Sequence, residues 1–301
     1  MRAQGMDSHP DVREALEHLL AAGGKRIRPT LGLLIGAMLN GNMETLVTLG
    51  AAVELLHTAT LVHDDLIDGS LLRRGTATLN SHWTSAATVL TGDFLFARAA
   101  RLAAETDHLP LMRLFADTLA VIVGGELNQL FSTRGLIKRD NYFQRIYAKT
   151  ASLFEMSCHA AALVCTTDKR LIESLRKFGY ELGMAFQIAD DILDFAGDEL
   201  AVGKPIGSDL LQGLVTLPAI CYAENHPQDA DVLALAAGGW ADHERMTRLA
   251  EKVRESDAIQ QAMSEAENAV ERAARHLSVF EPSSERDSLE ELARFVVARR
   301  V

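Results

Sequence analysis

The sequence predicts an all-α protein, a single domain spanning residues 1–301 and built from ten or more helices around a central cavity. Three observations predict it. Alanine, leucine, glutamate and arginine abound, while aromatic residues make up 6% and prolines number 7, a composition of strong helix formers. Apolar residues recur at helical spacing almost throughout, from about Val12 onward. The breaks between these runs are short and glycine- or proline-marked, as at Gly23-Gly24, Asn40-Gly-Asn42, Gly69-Ser70, Gly75, Arg134-Gly135, His226-Pro227 and Glu281-Pro-Ser-Ser284. No low-complexity block or linker interrupts the series, and the stretch from about Asn225 to Glu244 is its least regular part.

At the N-terminus, Met1 to Pro10 lacks the apolar core of a signal peptide. No run of 18 apolar residues is free of charge, so no transmembrane span is expected. Cys158, Cys165 and Cys221 sit in apolar surroundings without ligand spacing, which predicts buried free thiols and a cytoplasmic protein. A net charge of −11 argues against nucleic acid as a partner, because nucleic acid requires a basic face. An anionic small substrate fits only if the acidic residues act through metal and the basic residues cluster.

Basic residues do cluster. Gly23-Gly-Lys-Arg-Ile-Arg-Pro29 puts Lys25, Arg26 and Arg28 at a glycine turn before a helix, where exposed N–H groups and the helix dipole favour phosphate. His57 lies two turns before the first of two acidic sets and on its face. Arg73 and Arg74 follow that set, and arginine offers a planar fork for phosphate. Lys149 with Thr150, and Lys204 in Gly203-Lys-Pro205, lie nearer the second set in sequence.

The acidic sets are two copies of Asp-Asp-x-x-Asp: Asp64, Asp65 and Asp68, then Asp190, Asp191 and Asp194. On a helix, each copy stacks two carboxylates one turn apart with a third about 100° round. Like charges so close favour a cation. Oxygen ligands that leave room for water and phosphate suit Mg²⁺. One copy alone could be a solvated helix face. Here, however, Leu61, Val62, Leu66 and Ile67 flank one set, and Phe186, Ile188, Ile192 and Phe195 the other. Carboxylates in apolar helices need a partner or a metal, and two such sets suggest two carboxylate walls facing one cavity. The implied chemistry is metal-assisted departure of a diphosphate from carbon, leaving a carbocation in an apolar cavity. No nucleophile–base pair and no Walker-type loop stands out.

These motifs resemble, in order, those of the all-trans polyprenyl diphosphate synthases, the trans-prenyltransferases. The match runs from about Gly23 to Arg300. It includes Gly24-Lys-Arg-Ile-Arg-Pro29, His63-Asp-Asp-Leu-Ile-Asp68 with Arg73-Arg-Gly75, Gly125-Glu126 with Gln129, and Lys149-Thr150. It continues through Phe186-Gln-Ile-Ala-Asp-Asp-Ile-Leu-Asp194, Gly203-Lys-Pro-Ile-Gly-Ser-Asp209 and Thr216-Leu-Pro218. Leu214 departs from the pattern, since many members carry lysine there.

The resemblance implies the isoprenoid synthase fold and a Mg²⁺-dependent condensation of isopentenyl diphosphate with an allylic diphosphate. The steps would be ionisation, alkene attack on the cation, and proton loss to diphosphate. Asp64, Asp68 and Asp190 would ligate three Mg²⁺ ions, with Asp65, Asp191 and Asp194 as direct or water-bridged support. Arg73, Lys149 and Lys204 would hold the allylic diphosphate; Lys25, Arg28, His57 and Arg74 would hold isopentenyl diphosphate. Gln187 and the Thr150 region would face the developing cation. Gln129 would touch the metal–diphosphate assembly, and Arg299 or Arg300 would close over it. Family members usually dimerise, which implies a homodimer, with a heterodimer as the alternative.

Product length is expected to be set beneath Asp64. One helical turn rises about 5.4 Å, close to one extended isoprene unit. At the positions four and five before Asp64, Thr60 and Ala59, family members with short products carry bulky aromatics. The small Ala59, with Leu56 a turn lower, predicts six or more isoprene units. Four units is the alternative if Phe94, Phe115, Val121 or Ile122 forms the floor. A class I terpene cyclase is a weaker reading, because cyclases usually replace the second aspartate set. A metal phosphohydrolase using His57, His63 and Asp64 would leave that set unexplained. Non-catalytic partner subunits typically lose both sets.

Overall fold

The computed structural model describes residues 1, 9–21, 23–73, 75–132, 134–196 and 206–298. Helices account for nearly all of it, and a two-stranded antiparallel hairpin is the one sheet among the described residues. The all-α expectation holds. The chain divides into two compact units, residues 1–117 with 156–172, and residues 118–155 with 173–301. The sequence carries no linker signal for this division because its boundaries fall inside continuous helices rather than in loops.

In the first unit, α1 (Pro10–Ala21) and α2 (Ile27–Met38) precede the long α3 (Met43–Ile67). Asn42 starts α3, its side-chain oxygen accepting from the N–H groups of Glu44 and Thr45 at 2.9 and 3.1 Å, as an N-cap does. Leu46, Leu49, Val53, Leu55, Leu56, Ala59 and Val62 are buried along it. α3 packs against α2 and most extensively against α4 (Ser85–Ala104). The approach to α4 depends on Gly92, where a Cβ would come within 2.1 Å of His63 Nε2. By length and composition α3 could cross a membrane, but 61% of its most apolar window is buried inside this fold. Its far end is closed by a hydrogen-bonded C-cap: Ser70 N–H bonds Asp65 C=O at 2.9 Å and Gly69 N–H bonds Leu66 C=O at 3.3 Å. Gly69 takes φ +64°, the left-handed conformation that glycine adopts without penalty. The chain then forms β1 (Leu72–Arg73) and β2 (Thr76–Ala77).

The second unit holds most of α5 (Leu109–Phe131), α6 (Arg139–Ile146) and nearly all of α8 (Lys169–Ala196). Between α6 and α7 (Ser152–Cys165), residues Tyr147–Ala151 form a π-helical turn, a widening frequently found at functional sites. After α8 come α9 (Ser208–Leu211), α10 (Leu217–Asn225), α11 (Ala230–Ala236), α12 (His243–Glu255), α13 (Ala258–Leu277) and α14 (Ser284–Ala298). Tyr142, Ile188, Ile192, Phe195, Leu217, Met246 and Leu249 belong to its core. The least regular stretch of the sequence contains α11, which is tied down by charge. Lys252 Nζ bonds Asp229 and the buried Asp231 at 2.7 and 2.9 Å, and Arg248 bonds Asp231 at 3.2 Å.

Candidate active site

Both aspartate sets lie at the C-terminal ends of long helices. Asp64, Asp65 and Asp68 occupy the last turn and cap of α3, and Asp190, Asp191 and Asp194 the last two turns of α8. The helix dipole is negative there and adds to the mutual repulsion of the carboxylates. A cation relieves both effects.

In each set the middle carboxylate is buried and already engaged by the protein. Asp65 is 6% exposed and accepts from Arg73 Nε at 2.7 Å. Burial pushes its carboxyl above the usual range, Arg73 pulls it back, and the Asp68 charge pushes it further up. The hairpin brings Arg73 back to α3, pairing it with Thr76 across the turn at Gly75. Asn80 buttresses the turn by donating to the carbonyls of Ser70 and Asp65 at 3.0 and 3.3 Å. Asp191 is 4% exposed; Tyr142 Oη donates to its Oδ2 at 2.8 Å and Gln187 Nε2 to its Oδ1 at 2.7 Å. Burial pushes Asp191 up to about 7, against those two hydrogen bonds. Asp64 and Asp190 are half-buried, and Asp68 is exposed. Asp194 accepts from Ser208 Oγ at 2.6 Å and from the Asp209 N–H at 3.2 Å.

Among the described residues no three histidine, cysteine or acidic side chains converge into a protein-only metal cage. An all-oxygen donor set with half-buried first carboxylates instead fits Mg²⁺, which keeps waters and takes substrate phosphates as ligands.

The basic residues divide. Arg26, counted above with the phosphate cluster, turns inward. It has φ +49°, its guanidinium pairs with Glu54, a buried acid of α3, and it donates to Leu20 C=O at 3.2 Å. Lys25 is exposed, and Arg28 and His57 are half-buried. Arg28 sits in the first turn of α2, and its carbonyl accepts from Ser157 Oγ at 2.6 Å. Arg26→Met strands a buried carboxylate, so the variant should lose about 2 kcal/mol of stability, read as a lowered thermal midpoint. Adding Glu54→Leu should restore most of it.

In the second unit, Lys149 lies in the π-helical turn and pairs with Glu126 at 3.2 Å. Its neighbour Thr150 donates to Gln187 Oε1 at 2.6 Å, and Gln129 is half-buried on α5. Arg74, Lys204, Arg299 and Arg300 lie outside the described residues. Ala59 is fully buried and Thr60 half-buried, its hydroxyl bonded to His57 C=O at 2.8 Å. Of the alternative floor residues, Phe115 and Ile122 are buried, and Phe94 carries the Arg98 guanidinium 5.0 Å from its ring centre.

Sequence reasoning missed Glu54, Asn80, Tyr142 and Arg145, and it quoted Ser208 in a motif without giving it a role. Arg145 donates to Val215 C=O at 2.6 Å and stands 5.6 Å over the Tyr142 ring. A tyrosine on an amphipathic helix reads as core, and nothing in its spacing shows that its hydroxyl meets a carboxylate 49 residues on.

A family model described as polyprenyl synthetase matches residues 9–254. The chain is 34% identical over 293 residues to heptaprenyl diphosphate synthase component 2 of Bacillus subtilis, covering 97% of this chain and 84% of that one. It is 38% identical over 293 residues to the all-trans-nonaprenyl-diphosphate synthase (geranyl-diphosphate specific) of Rhodobacter capsulatus, covering 96% and 89%. Its structure matches that of polyprenyl synthase from Caulobacter crescentus, complexed with calcium and isoprenyl diphosphate. That match has TM-score 0.90 and 36% identity, covering 100% of this chain and 92% of that one. The two aspartate motifs and these matches agree: the chain belongs to the polyprenyl synthetase family of trans-prenyltransferases.

Proposed function

We propose that this polyprenyl diphosphate synthase condenses isopentenyl diphosphate with an allylic diphosphate to an all-trans product of six or more isoprene units. The observation that carries the reading is the pair of aspartate sets at helix C-termini, each with a buried middle carboxylate held by protein donors. Asp64, Asp68 and Asp190 are the proposed ligands of three Mg²⁺ ions, with Asp65, Asp191 and Asp194 in support. Mg²⁺ neutralises diphosphate charge and makes it a better leaving group. Arg73, Lys149 and Lys204 bind the allylic diphosphate; Lys25, Arg28, His57 and Arg74 bind isopentenyl diphosphate. Gln187 and the Thr150 region face the developing cation. The family match crosses both compact units, which supports reading them as one catalytic domain in a cytoplasmic enzyme.

The test is product analysis. Purified protein receives Mg²⁺, labelled isopentenyl diphosphate and geranyl or farnesyl diphosphate, and the dephosphorylated products are sized. A ladder ending at six or more units is expected. A stop at four would keep the enzyme and refute the length, and no elongation would refute the reading for the isolated chain.

A homodimer is part of the proposal. Val123, Leu127, Leu130 and Phe131 on α5 are 45%, 48%, 63% and 79% exposed, at the spacing of one helix face. An apolar stripe of this kind marks an interface. Leu127→Lys should convert a dimer to a monomer in light scattering. A wild-type monomer would instead favour a heteromeric partner; the Bacillus relative is called component 2.

A further inference from the structure

One buried chain of hydrogen bonds in the second unit involves a residue that no sequence motif contains. Tyr142 Oη donates to Asp191 Oδ2 at 2.8 Å, Gln187 Nε2 donates to Asp191 Oδ1 at 2.7 Å, and Thr150 Oγ1 donates to Gln187 Oε1 at 2.6 Å. All three donors run toward Asp191. In its ionised form this carboxylate accepts and cannot donate, so it fixes which end of the Gln187 amide faces it. The other end, the carbonyl oxygen, is left to receive the Thr150 hydroxyl. Both Asp191 oxygens are thereby engaged within the protein.

Tyr142 is fully buried. A phenylalanine would fill its place in the core, whereas a buried hydroxyl needs a partner, and this one is spent on Asp191. Arg145 steadies the ring from its face, 5.6 Å from the centroid, while donating to Val215 C=O at 2.6 Å. Thr150 adjoins Lys149 within the π-helical turn, so the chain of bonds ends beside a proposed diphosphate ligand.

We propose that Tyr142 is a positioning residue for the condensation: it fixes the Asp191 carboxylate and through it the Gln187 amide and Thr150 hydroxyl, with Asp191 anchoring this chain rather than ligating metal. The proposal rests on the polyprenyl synthase reading. Wild-type elongation is therefore measured alongside, and its absence would sink that reading rather than the role of Tyr142.

The test uses Tyr142→Phe, Gln187→Leu and the double variant in the full-length enzyme. Tyr142→Phe is expected to lower kcat for the first condensation about tenfold, with both KM values within about twofold of wild type. Its Mg²⁺ half-saturation should be unchanged. So should calorimetric binding of a non-ionisable thio analogue of the allylic diphosphate in Mg²⁺. Because Tyr142 and Gln187 act through one carboxylate, the double variant should be no slower than Gln187→Leu alone. Wild-type kcat in Tyr142→Phe, or additive losses in the double variant, would overturn the proposal. If Tyr142→Phe fails to fold, Asp191→Asn decides: a raised Mg²⁺ half-saturation or weakened analogue binding would make Asp191 a ligand and refute the anchor. Lowered kcat at unchanged Mg²⁺ demand supports it.

Discussion

Asp64→Asn and Asp190→Asn are each expected to lower kcat for the first condensation by about 10³-fold. Asparagine keeps the shape of the side chain and one oxygen acceptor but removes the negative charge. These are the first carboxylates of the two sets, half-buried near the C-terminus of a helix, where a divalent cation offsets the carboxylate charges and the negative end of the helix dipole. Steady-state assays with labelled isopentenyl diphosphate, over a Mg²⁺ titration, give the readout. The Mg²⁺ half-saturation should rise together with the loss of kcat. Near-wild-type turnover in either variant would remove that residue from the proposed metal set. Asp65→Asn should differ in kind: it releases Arg73 from its 2.7 Å contact, so part of its effect should appear as a raised KM for the allylic diphosphate.

The helical class and the reaction class were legible in the sequence because each rests on local pattern. Helical periodicity, short glycine-marked breaks and two five-residue aspartate motifs survive being read one segment at a time. The partition within the motifs was not legible. Six aspartates look alike in sequence; only the tertiary structure shows that Asp65 is buried against Arg73 and Asp191 against Tyr142 and Gln187. The three cations of the Gly23–Pro29 turn divide for the same reason. The left-handed backbone at Arg26 and the buried Glu54 of α3 lie outside any spacing rule. The π-helical turn at Lys149-Thr150 is likewise set by packing: a Cβ on Gly125 of α5 would come within 2.5 Å of Ala148 Cβ, so α5 and the turn approach closely at that point.

Ala59→Phe is expected to shorten the product from six or more units to four or fewer while leaving the first condensation near wild-type rate. Ala59 is five residues before Asp64, and both Ala59 and Leu56 are fully buried. Its small side chain can serve either of two ends. If it faces closed core between helices, a phenylalanine must push neighbours aside, at a cost of about 1–3 kcal/mol, and thermal stability falls with product length unchanged. If it faces the path of the growing chain, the ring occupies space that the later isoprene units would fill. Stability is then nearly retained and elongation stops early. Melting curves and product sizing on the same preparation separate the two. The path reading predicts one further trend: Leu56→Ala, a turn lower on α3, should leave the product as long as or longer than wild type, because about 5.4 Å of rise per turn places position 56 beyond the ring of Ala59→Phe. A product of unchanged length in a destabilised Ala59→Phe would return the length-setting role to Phe94, Phe115, Val121 or Ile122.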